Sequence, residues 1–262
     1  MPGRPGTPAT GHSASQTPPR KGTTVRVAMH QPHYLPWLGL LDKIDRCDLF
    51  IVLDHVQFER KGWQHRNYVA SKNGPLLLTV PVIQRSRDER IMDKSINNDS
   101  DWREKHRRTL VEHCYRSAPF HGDFGEAFAD VYTTEWKNLV DLSLTTTRFV
   151  LDAFDIATPV MRSSELGEFP GQKSELLAQI STKVGATTML SGDGAKGYVD
   201  PAVFEHHGVA VEWQNFNHPE YHQANRHNRA FLPRMAALDL LFNAGPEGME
   251  LVRAARSCGA GA

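Results

Sequence analysis

The segment from Val25 to Phe58 alternates between strand and helix patterns, and this alternation restricts the possible folds more than any other feature of the sequence. VRVAMH (25–30) and LFIVLDHVQF (49–58) are apolar and rich in β-formers, as buried strands are. Between them, Leu38, Leu41 and Ile44 have the spacing of an amphipathic helix. A strand, a helix and a second strand in so short a segment indicate a parallel βαβ unit.

The rest of the chain continues this alternation around a helical block. Residues 62–82 contain two strand patterns joined by an Asn-Gly turn. We predict an α/β fold: an open, mostly parallel sheet with helices on both faces and a helical subdomain. We expect a single α/β domain over 24–257 with a helical insertion at about 100–156. The further strand patterns lie at 159–166, 187–192 and 209–216, and the further helix patterns at 174–186, 201–208 and 234–256.

The charge balance restricts the class of partner. The chain has 30 Lys and Arg residues against 30 Asp and Glu residues, so its formal net charge is zero. A protein that binds nucleic acid or an anionic membrane through general electrostatic attraction would carry a basic excess. No apolar run approaches the roughly 20 residues that a membrane-spanning helix needs. We therefore expect a soluble protein with a small-molecule partner, and neither nucleic acid nor a membrane.

Residues 1–23 and the cysteines bear on order and location. Residues 1–23 are rich in Pro, Gly, Ser and Thr, and we expect a disordered tail because they offer too little apolar surface to offset the entropy of ordering. They lack the apolar stretch of a secretory signal. Cys47, Cys114 and Cys258 are far apart, which argues against a disulfide framework and against a structural zinc site built on cysteines. These features predict a cytoplasmic location.

Four polar clusters follow predicted strands, and ligands of open α/β sheets bind at the carboxyl ends of the strands. The first is MHQPHYLPW (29–37), in which two prolines stiffen a turn that carries two histidines. Such a turn, placed before a helix, offers imidazoles and backbone N–H groups to an anion. The candidate residues of this cluster are His30, His33, Gln31, Tyr34 and Trp37.

The second cluster is LDHVQFERKGWQHRNYV (53–69), which ends the second predicted strand. Its planar polar side chains suit the recognition of a polar ligand, and its cations suit a carboxylate or a phosphate. The candidate residues of this cluster are Asp54, His55, Gln57, Lys61, Trp63, Gln64, Arg66 and Asn67.

The third and fourth clusters come late in the chain. LSGDGAKGYVD (190–200) is a glycine-rich turn without the spacing of a Walker loop, and it offers Ser191, Gly192, Lys196 and Tyr198. FNHPEYHQ (216–223) offers His218, Tyr221 and His222. The two histidines of the fourth cluster are four positions apart, as zinc ligands on a helix are, but a proline lies between them and no HExxH motif is present. We assign no metal ligands, although a four-histidine metal site with His30 and His33 stays conceivable.

Several long blocks of the sequence resemble the WbqC-like protein family, over about Val25 to Gly245. The blocks are HQPHYLPWLGLLDKI, DLFIVLDHVQF, GWQHRNYV, LTVPV, SGDGAKGYVD, HPEYHQ and LDLLFNAG. The histidine turn also resembles the His-x-Gly-His turn of nucleotidylyltransferases, with Pro32 in place of glycine, and DLFIVLDHVQF resembles the second strand of pantothenate synthetase. The resemblance implies a bacterial enzyme with a nucleotidylyltransferase-like fold, acting in O-antigen, other polysaccharide or natural-product biosynthesis.

The leading hypothesis is an amide-forming enzyme that transfers an acyl or aminoacyl group to an amine, such as that of an amino sugar. In it, His30 and His33 stabilise developing negative charge, and Asp54 or His55 accepts the proton of the amine. Lys196 and Arg66 bind phosphate or carboxylate. The donor is either activated by ATP with Mg²⁺ or carried as an acyl thioester, with a small molecule or nucleotide sugar as substrate and an acyl carrier protein as a candidate partner.

Two other hypotheses stay open at this point. One is a metal-dependent hydrolase built on His30, His33, His218 and His222. The other is a non-catalytic component of a biosynthetic complex, which would present a large exposed apolar patch instead of a polar pocket.

Overall fold

The computed structural model describes residues 24–226 and 229–257, and its centre is a parallel sheet. The strands are β1 (Arg26–His30), β2 (Leu49–Val52), β3 (Arg66–Ser71), β4 (Gly74–Thr79), β5 (Val160–Arg162), β6 (Thr188–Ser191) and β7 (Ala210–Trp213). Five of them form one sheet in the order β5-β2-β1-β6-β7, and every neighbouring pair is parallel. The predicted α/β fold with an open parallel sheet is therefore confirmed.

Helices cover both faces of this sheet. They are α1 (Leu38–Asp45), α2 (Trp102–Arg107), α3 (His121–Ala129), α4 (Leu139–Ala153), α5 (Ser174–Lys183), α6 (Pro201–His206), α7 (Leu238–Ala244) and α8 (Gly248–Ser257). Helix α2 continues as a π-helix over Arg108–Cys114. In the part of the chain that the structure describes, none of the helices has the length and apolarity needed to cross a bilayer.

The side chains of the strands alternate between two cores, as the period of two in a strand requires. The larger core lies on the face that carries α1, α4, α7 and α8, and it receives Ala28, Phe50 and Leu190 from the sheet. The smaller core lies on the face that carries α5 and α6, and it receives Val27, Ile51 and Met189. Because both faces are buried, the strands are apolar along their whole length, which is why they could be recognised in the sequence.

The order of the strands identifies a point at which the sheet reverses direction. From β1 the chain first adds β2 and β5 on one side, and it then returns to add β6 and β7 on the other side. The crevice at the carboxyl ends of β1 and β6 is therefore a topological switch point, the usual ligand site of an open α/β sheet. His30 ends β1 and Ser191 ends β6, so the first and third sequence clusters meet there.

The segment between β2 and β5 forms a separate layer. It contains the antiparallel hairpin of β3 and β4, in which Ser71 pairs with Gly74, followed by α2, α3 and α4. The helical block expected at about 100–156 is thus accompanied by the hairpin predicted over 62–82. Strand β2 is shorter than the predicted 49–58, because the backbone N–H of Asp54 bonds to Val52 O and Ser163 Oγ and turns the chain away from the sheet. The predicted tail at 1–23 lies outside the described residues.

Gly245 separates α7 from α8, and a substitution there tests how this turn packs against Phe120. Its φ is 69°, and a Cβ there would lie 2.5 Å from the Phe120 ring. We expect Gly245→Ala to lower the free energy of unfolding by about 2 kcal/mol, because it adds backbone strain and overpacking. Gly197→Ala is the control, since a Cβ at Gly197 meets nothing within 4 Å. Urea unfolding measures both variants, and equal losses would contradict the assignment of strain to Gly245.

Candidate active site

The turn after β1 holds two imidazoles against each other. The rings of His30 and His33 are 4.6 Å apart at an interplanar angle of 87°. His30 Nδ1 donates to Gln31 O at 2.9 Å, which leaves its Nε2 as the acceptor nitrogen. His33 is buried, and no described residue bonds to its Nδ1. The turn therefore offers acceptor nitrogens that the protein itself does not use.

A lysine that the sequence analysis did not single out lies beside this turn. Lys43, on α1, is 4% exposed, and its ammonium donates to Met29 O at 3.2 Å. Among the described residues, no carboxylate forms an ion pair with this ammonium. Burying an ammonium without a counter-ion is expensive, because water no longer solvates the charge. An anionic ligand would supply the missing negative charge.

Gly192 and Gln214 follow β6 and β7 and lie close to Lys43. A Cβ on Gly192 would lie 3.9 Å from Lys43 Nζ and 3.7 Å from Gln214 Oε1, so the lack of a side chain leaves space over both groups. Gln214 Nε2 donates to Gly39 O at 2.6 Å and to Asp42 Oδ2 at 2.7 Å. Because a backbone carbonyl and a carboxylate only accept, the amide has one orientation, with Oε1 towards Gly192.

The electrostatics of the crevice keep both histidines neutral. Burial and, to a smaller extent, the charge of Lys43 lower the pKa of His33 to about 3. Burial and the same charge also hold the pKa of His30 well below its usual range. Burial lowers the pKa of Lys43 itself to about 8. At neutral pH the crevice therefore combines one ammonium with two uncharged imidazoles.

Asp54 forms a second polar centre, at the carboxyl ends of β2 and β5. Its buried carboxylate accepts from Arg162 Nε at 2.6 Å, Ser163 Oγ at 3.0 Å, Ser164 N at 3.0 Å and Ser164 Oγ at 2.7 Å. Burial alone would raise its pKa, but the hydrogen bonds from Ser164 and Arg162 hold the pKa below its usual range. Asp54 cannot serve as the base that we considered, because its lone pairs are occupied. The neighbouring His55 bonds through Nδ1 to Ser163 Oγ at 2.5 Å.

The sequence analysis predicted that Tyr34 binds the substrate, but in the structure its side chain points into the core. It has no exposed surface, and its hydroxyl bonds to His106 Nδ1 at 2.8 Å and to Tyr132 OH at 2.6 Å. Asn67 is also buried, and it donates to Leu35 O. Both side chains therefore hold the turn in place and do not line an opening.

Gln64 connects the second cluster to the first. Its Nε2 donates to Gln31 Oε1 at 2.7 Å, and its carbonyl accepts from Tyr34 N at 3.2 Å. Its Oε1 is buried without a partner among the described residues. Gln64 thus supports the histidine turn directly, and its role in binding substrate stays a prediction.

The other members of the second cluster lie at the surface. Trp63 is 44% exposed, and the guanidinium of Arg66 lies 5.6 Å from the centre of its ring. Arg66 also donates to Gly62 O at 3.1 Å. Gln57 donates to Arg87 O at 2.6 Å, and Lys61 is exposed. These contacts do not bring the four side chains to the carboxyl ends of β1 and β6.

Lys196, the residue of the glycine-rich turn that we predicted to bind an anion, already forms an ion pair. Lys196 Nζ lies 2.7 Å from Asp193 Oδ1, and this ion pair is about half exposed, with side-chain exposures of 49% and 40%. Asp193 Oδ2 in turn accepts from Phe216 N at 3.1 Å, which ties the turn to the next loop. Tyr198 is 62% exposed, and Ser191 is buried at the end of β6. Of these two lysines, Lys43 is therefore the one that has no carboxylate partner among the described residues.

The HPEYHQ loop packs against the turn after β1 without joining its histidines. Phe216 contacts Trp37 with ring centres 5.3 Å apart. His218 donates from Nδ1 to Pro219 O at 2.8 Å and accepts at Nε2 from Arg234 N at 3.0 Å, so both of its nitrogens are occupied.

The remaining polar members of this loop do not form a metal site with the first cluster. Tyr221 donates to Asp239 at 2.9 Å, and His222 is exposed. Within residues 24–226 and 229–257, no group of three or more His, Cys, Asp or Glu side chains is spaced to hold a metal ion. The four-histidine site that we considered is therefore not formed.

Comparison with known proteins assigns the family. The sequence profile of the WbqC-like protein family matches residues 31–251, which include His33, Lys43, the glycine-rich turn and α7. The chain belongs to the WbqC-like protein family. It is 31% identical over 232 residues to the uncharacterized protein Rv1507c of Mycobacterium tuberculosis, a match that covers 88% of this chain and 99% of that protein. No solved structure matches the chain, so the resemblance to nucleotidylyltransferases stays a prediction.

Proposed function

We propose that this WbqC-like protein is a small-molecule or sugar-modifying enzyme that forms an amide by transferring an acyl or aminoacyl group to an amine. The observation that carries the proposal is the buried ammonium of Lys43, which lacks a carboxylate partner among the described residues and lies beside two neutral imidazoles at the switch point of the sheet. A cation of this kind suits a phosphate, a carboxylate or a departing thiolate.

The proposed reaction is an acyl transfer in which Lys43 and a histidine have separate roles. The amine attacks the acyl carbon, so that a C–N bond forms while the bond from that carbon to oxygen or sulfur breaks. The leaving group departs as a phosphate or a thiolate, and the Lys43 ammonium stabilises its negative charge. The proton that the amine loses passes to His55, the histidine proposed as base in the sequence analysis, because burial makes His30 and His33 weak bases at neutral pH.

The proposal extends to the reactants and their setting. The donor is an acyl group activated by ATP with Mg²⁺ or a carrier-bound acyl thioester, in which case an acyl carrier protein is a partner. The acceptor is a small-molecule amine or a nucleotide sugar. We propose that the reaction takes place in the cytoplasm, as part of polysaccharide or natural-product biosynthesis, and that neither nucleic acid nor a membrane is a partner.

Gly192→Ala tests the anion site with little risk to the fold. The φ of Gly192 is −72°, which alanine adopts freely, but the added methyl would occupy the space over Lys43 and Gln214. We expect calorimetric titrations to show binding of ATP with Mg²⁺ or of an acyl-coenzyme A to the wild type, and about tenfold weaker binding to the variant.

Gly194→Ala is the matched control in the same turn, since a Cβ at Gly194 meets nothing within 4 Å. Its affinity should equal that of the wild type. If neither ligand binds to the wild type, or if both variants bind as well as the wild type, the proposed anion site does not exist.

A further inference from the structure

Ser163 bridges Asp54 and His55, and its contacts determine where the protons lie. Ser163 Oγ is 2.5 Å from His55 Nδ1 and 3.0 Å from Asp54 Oδ1, and the backbone N–H of Asp54 reaches it at 3.2 Å. A serine hydroxyl has one proton to donate and two lone pairs to accept with. Three neighbours therefore use its full capacity.

The proton of Ser163 lies on the side of Asp54. Asp54 is ionised at neutral pH, because its hydrogen bonds keep its pKa low, so a proton between Asp54 Oδ1 and Ser163 Oγ must come from the serine. The serine then accepts from the two remaining neighbours, and one of these is His55 Nδ1. If the serine donated to the histidine instead, two oxygen atoms would face each other at 3.0 Å without a proton.

This arrangement fixes the tautomer of His55. With the proton on Nδ1, the other ring nitrogen, Nε2, carries a lone pair. The described residues provide no hydrogen-bond donor to Nε2, although this atom is shielded from solvent. A shielded acceptor without a partner is destabilising, because it has lost its hydrogen bonds to water, and a ligand that donates to it would explain why it is kept. The centre of the Phe169 ring lies 6.2 Å from the centre of the imidazole.

We propose that His55 Nε2 is the proton acceptor of the acyl-transfer reaction, with Ser163 and Asp54 as positioning residues that hold it in the reactive tautomer. This assignment rests on the proposed function. When Nε2 takes the proton of the attacking amine, the Asp54 carboxylate stabilises the resulting imidazolium through Ser163. The arrangement follows the logic of a catalytic triad, in which a base is oriented by a third group.

The tautomer can be measured on the ligand-free protein by two-bond ¹H–¹⁵N correlation spectroscopy. The sequence contains 13 histidines, and the His55→Gln variant identifies the resonances of His55. We expect His55 to be in the Nδ1–H form in the wild type and in Ser164→Ala. Ser164 also donates to Asp54, but it does not contact His55, which makes it the matched control. Ser163→Ala should shift His55 towards the Nε2–H form.

An Nε2–H tautomer of His55 in the wild type would overturn the assignment. This measurement does not depend on the ligand, so it can fail while ATP or acyl-coenzyme A still binds beside Lys43. The converse also holds, because a loss of binding in the Gly192 test would leave the tautomer of His55 unchanged.

Discussion

Replacing Lys43 by methionine is expected to weaken the binding of ATP or acyl-coenzyme A about 100-fold and, at the same time, to make the protein more stable. Binding weakens because the ligand loses a charge-assisted contact in a place that excludes water. Stability rises because methionine fills a similar volume without bringing a charge into the interior. The two effects have opposite signs, which separates a functional lysine from a structural one.

The sign of the stability effect follows from the pKa of Lys43. In the folded protein burial lowers this pKa to about 8, below the ordinary lysine value of 10.5 that holds in the unfolded chain. The unfolded chain therefore binds the proton more tightly. The resulting penalty, about 3 kcal/mol, is fully present below pH 8 and disappears as the pH rises towards 10.5. Through the same titration, anion affinity of the wild type should fall as the pH rises through 8.

Thermal unfolding at pH 7 measures the stability of Lys43→Met relative to the wild type. We expect its free energy of unfolding to be higher by about 2 kcal/mol, or its Tm by roughly 5 °C for a chain of this size. Lys137→Met is the control, because Lys137 is exposed and its removal should change neither Tm nor affinity. Between pH 8 and 10 the wild type should gain stability relative to Lys43→Met. A Tm that falls in Lys43→Met, with binding unchanged, would show that Lys43 is a structural residue.

Glu89→Gln is expected to destabilise the protein by about 3 kcal/mol, because it leaves a second buried lysine without its counter-ion. Lys94 has no exposed surface, and its ammonium lies 2.6 Å from Glu89 Oε2 and 4.7 Å from the centre of the Phe58 ring. Glutamine keeps the shape of the side chain but removes the charge. The ammonium of Lys94 would then be buried with a neutral amide.

An exposed ion pair in the same segment provides the matched control for Glu89→Gln. Arg90 Nε and Asp93 Oδ2 are 2.9 Å apart, and the two side chains are 52% and 46% exposed. Because solvent screens such a pair, Asp93→Asn should cost less than about 0.5 kcal/mol in urea unfolding. Equal losses in the two variants would mean that the Lys94 ion pair contributes no more than a surface pair.

Lys43 and Lys94 are both buried, but their ammonium groups have different partners. Lys94 is paired with Glu89, whereas among the described residues Lys43 has a backbone carbonyl as its partner. A lysine held inside the protein for stability is expected to have a carboxylate partner, as Lys94 does. The absence of such a partner at Lys43 therefore points to a ligand.

The sequence alone predicted the parallel sheet and placed the histidine turn at its carboxyl edge. It failed to identify Lys43 because Leu38, Leu41 and Ile44 define a single apolar face, which leaves the residues between them to be taken as solvent-exposed. In the structure α8 covers that other side, where Arg256 Nε lies 2.6 Å from Asp42 Oδ1. All residues from Leu38 to Ile44 are consequently buried.

The sequence did not identify Gln214 and Ser163 as site residues either, for a related reason. Gln214 bonds to Gly39 across 175 positions of sequence, and Ser163 bonds to Asp54 across 109. Local patterns carry no information about which polar side chains meet over such separations. The same contacts exclude Asp54 as the base, because the four donors that occupy its carboxylate include Arg162, which is 108 positions away.

The order of strands and helices was determined by the sequence itself, because the period of apolar residues and the positions of proline and glycine act over a few residues. The tertiary structure alone decided which polar groups meet and which of them carry a proton. Charge and hydrogen bonding depend on burial and on neighbours in space, and the packing of α8 and the crossover from β5 to β6 bring those neighbours together.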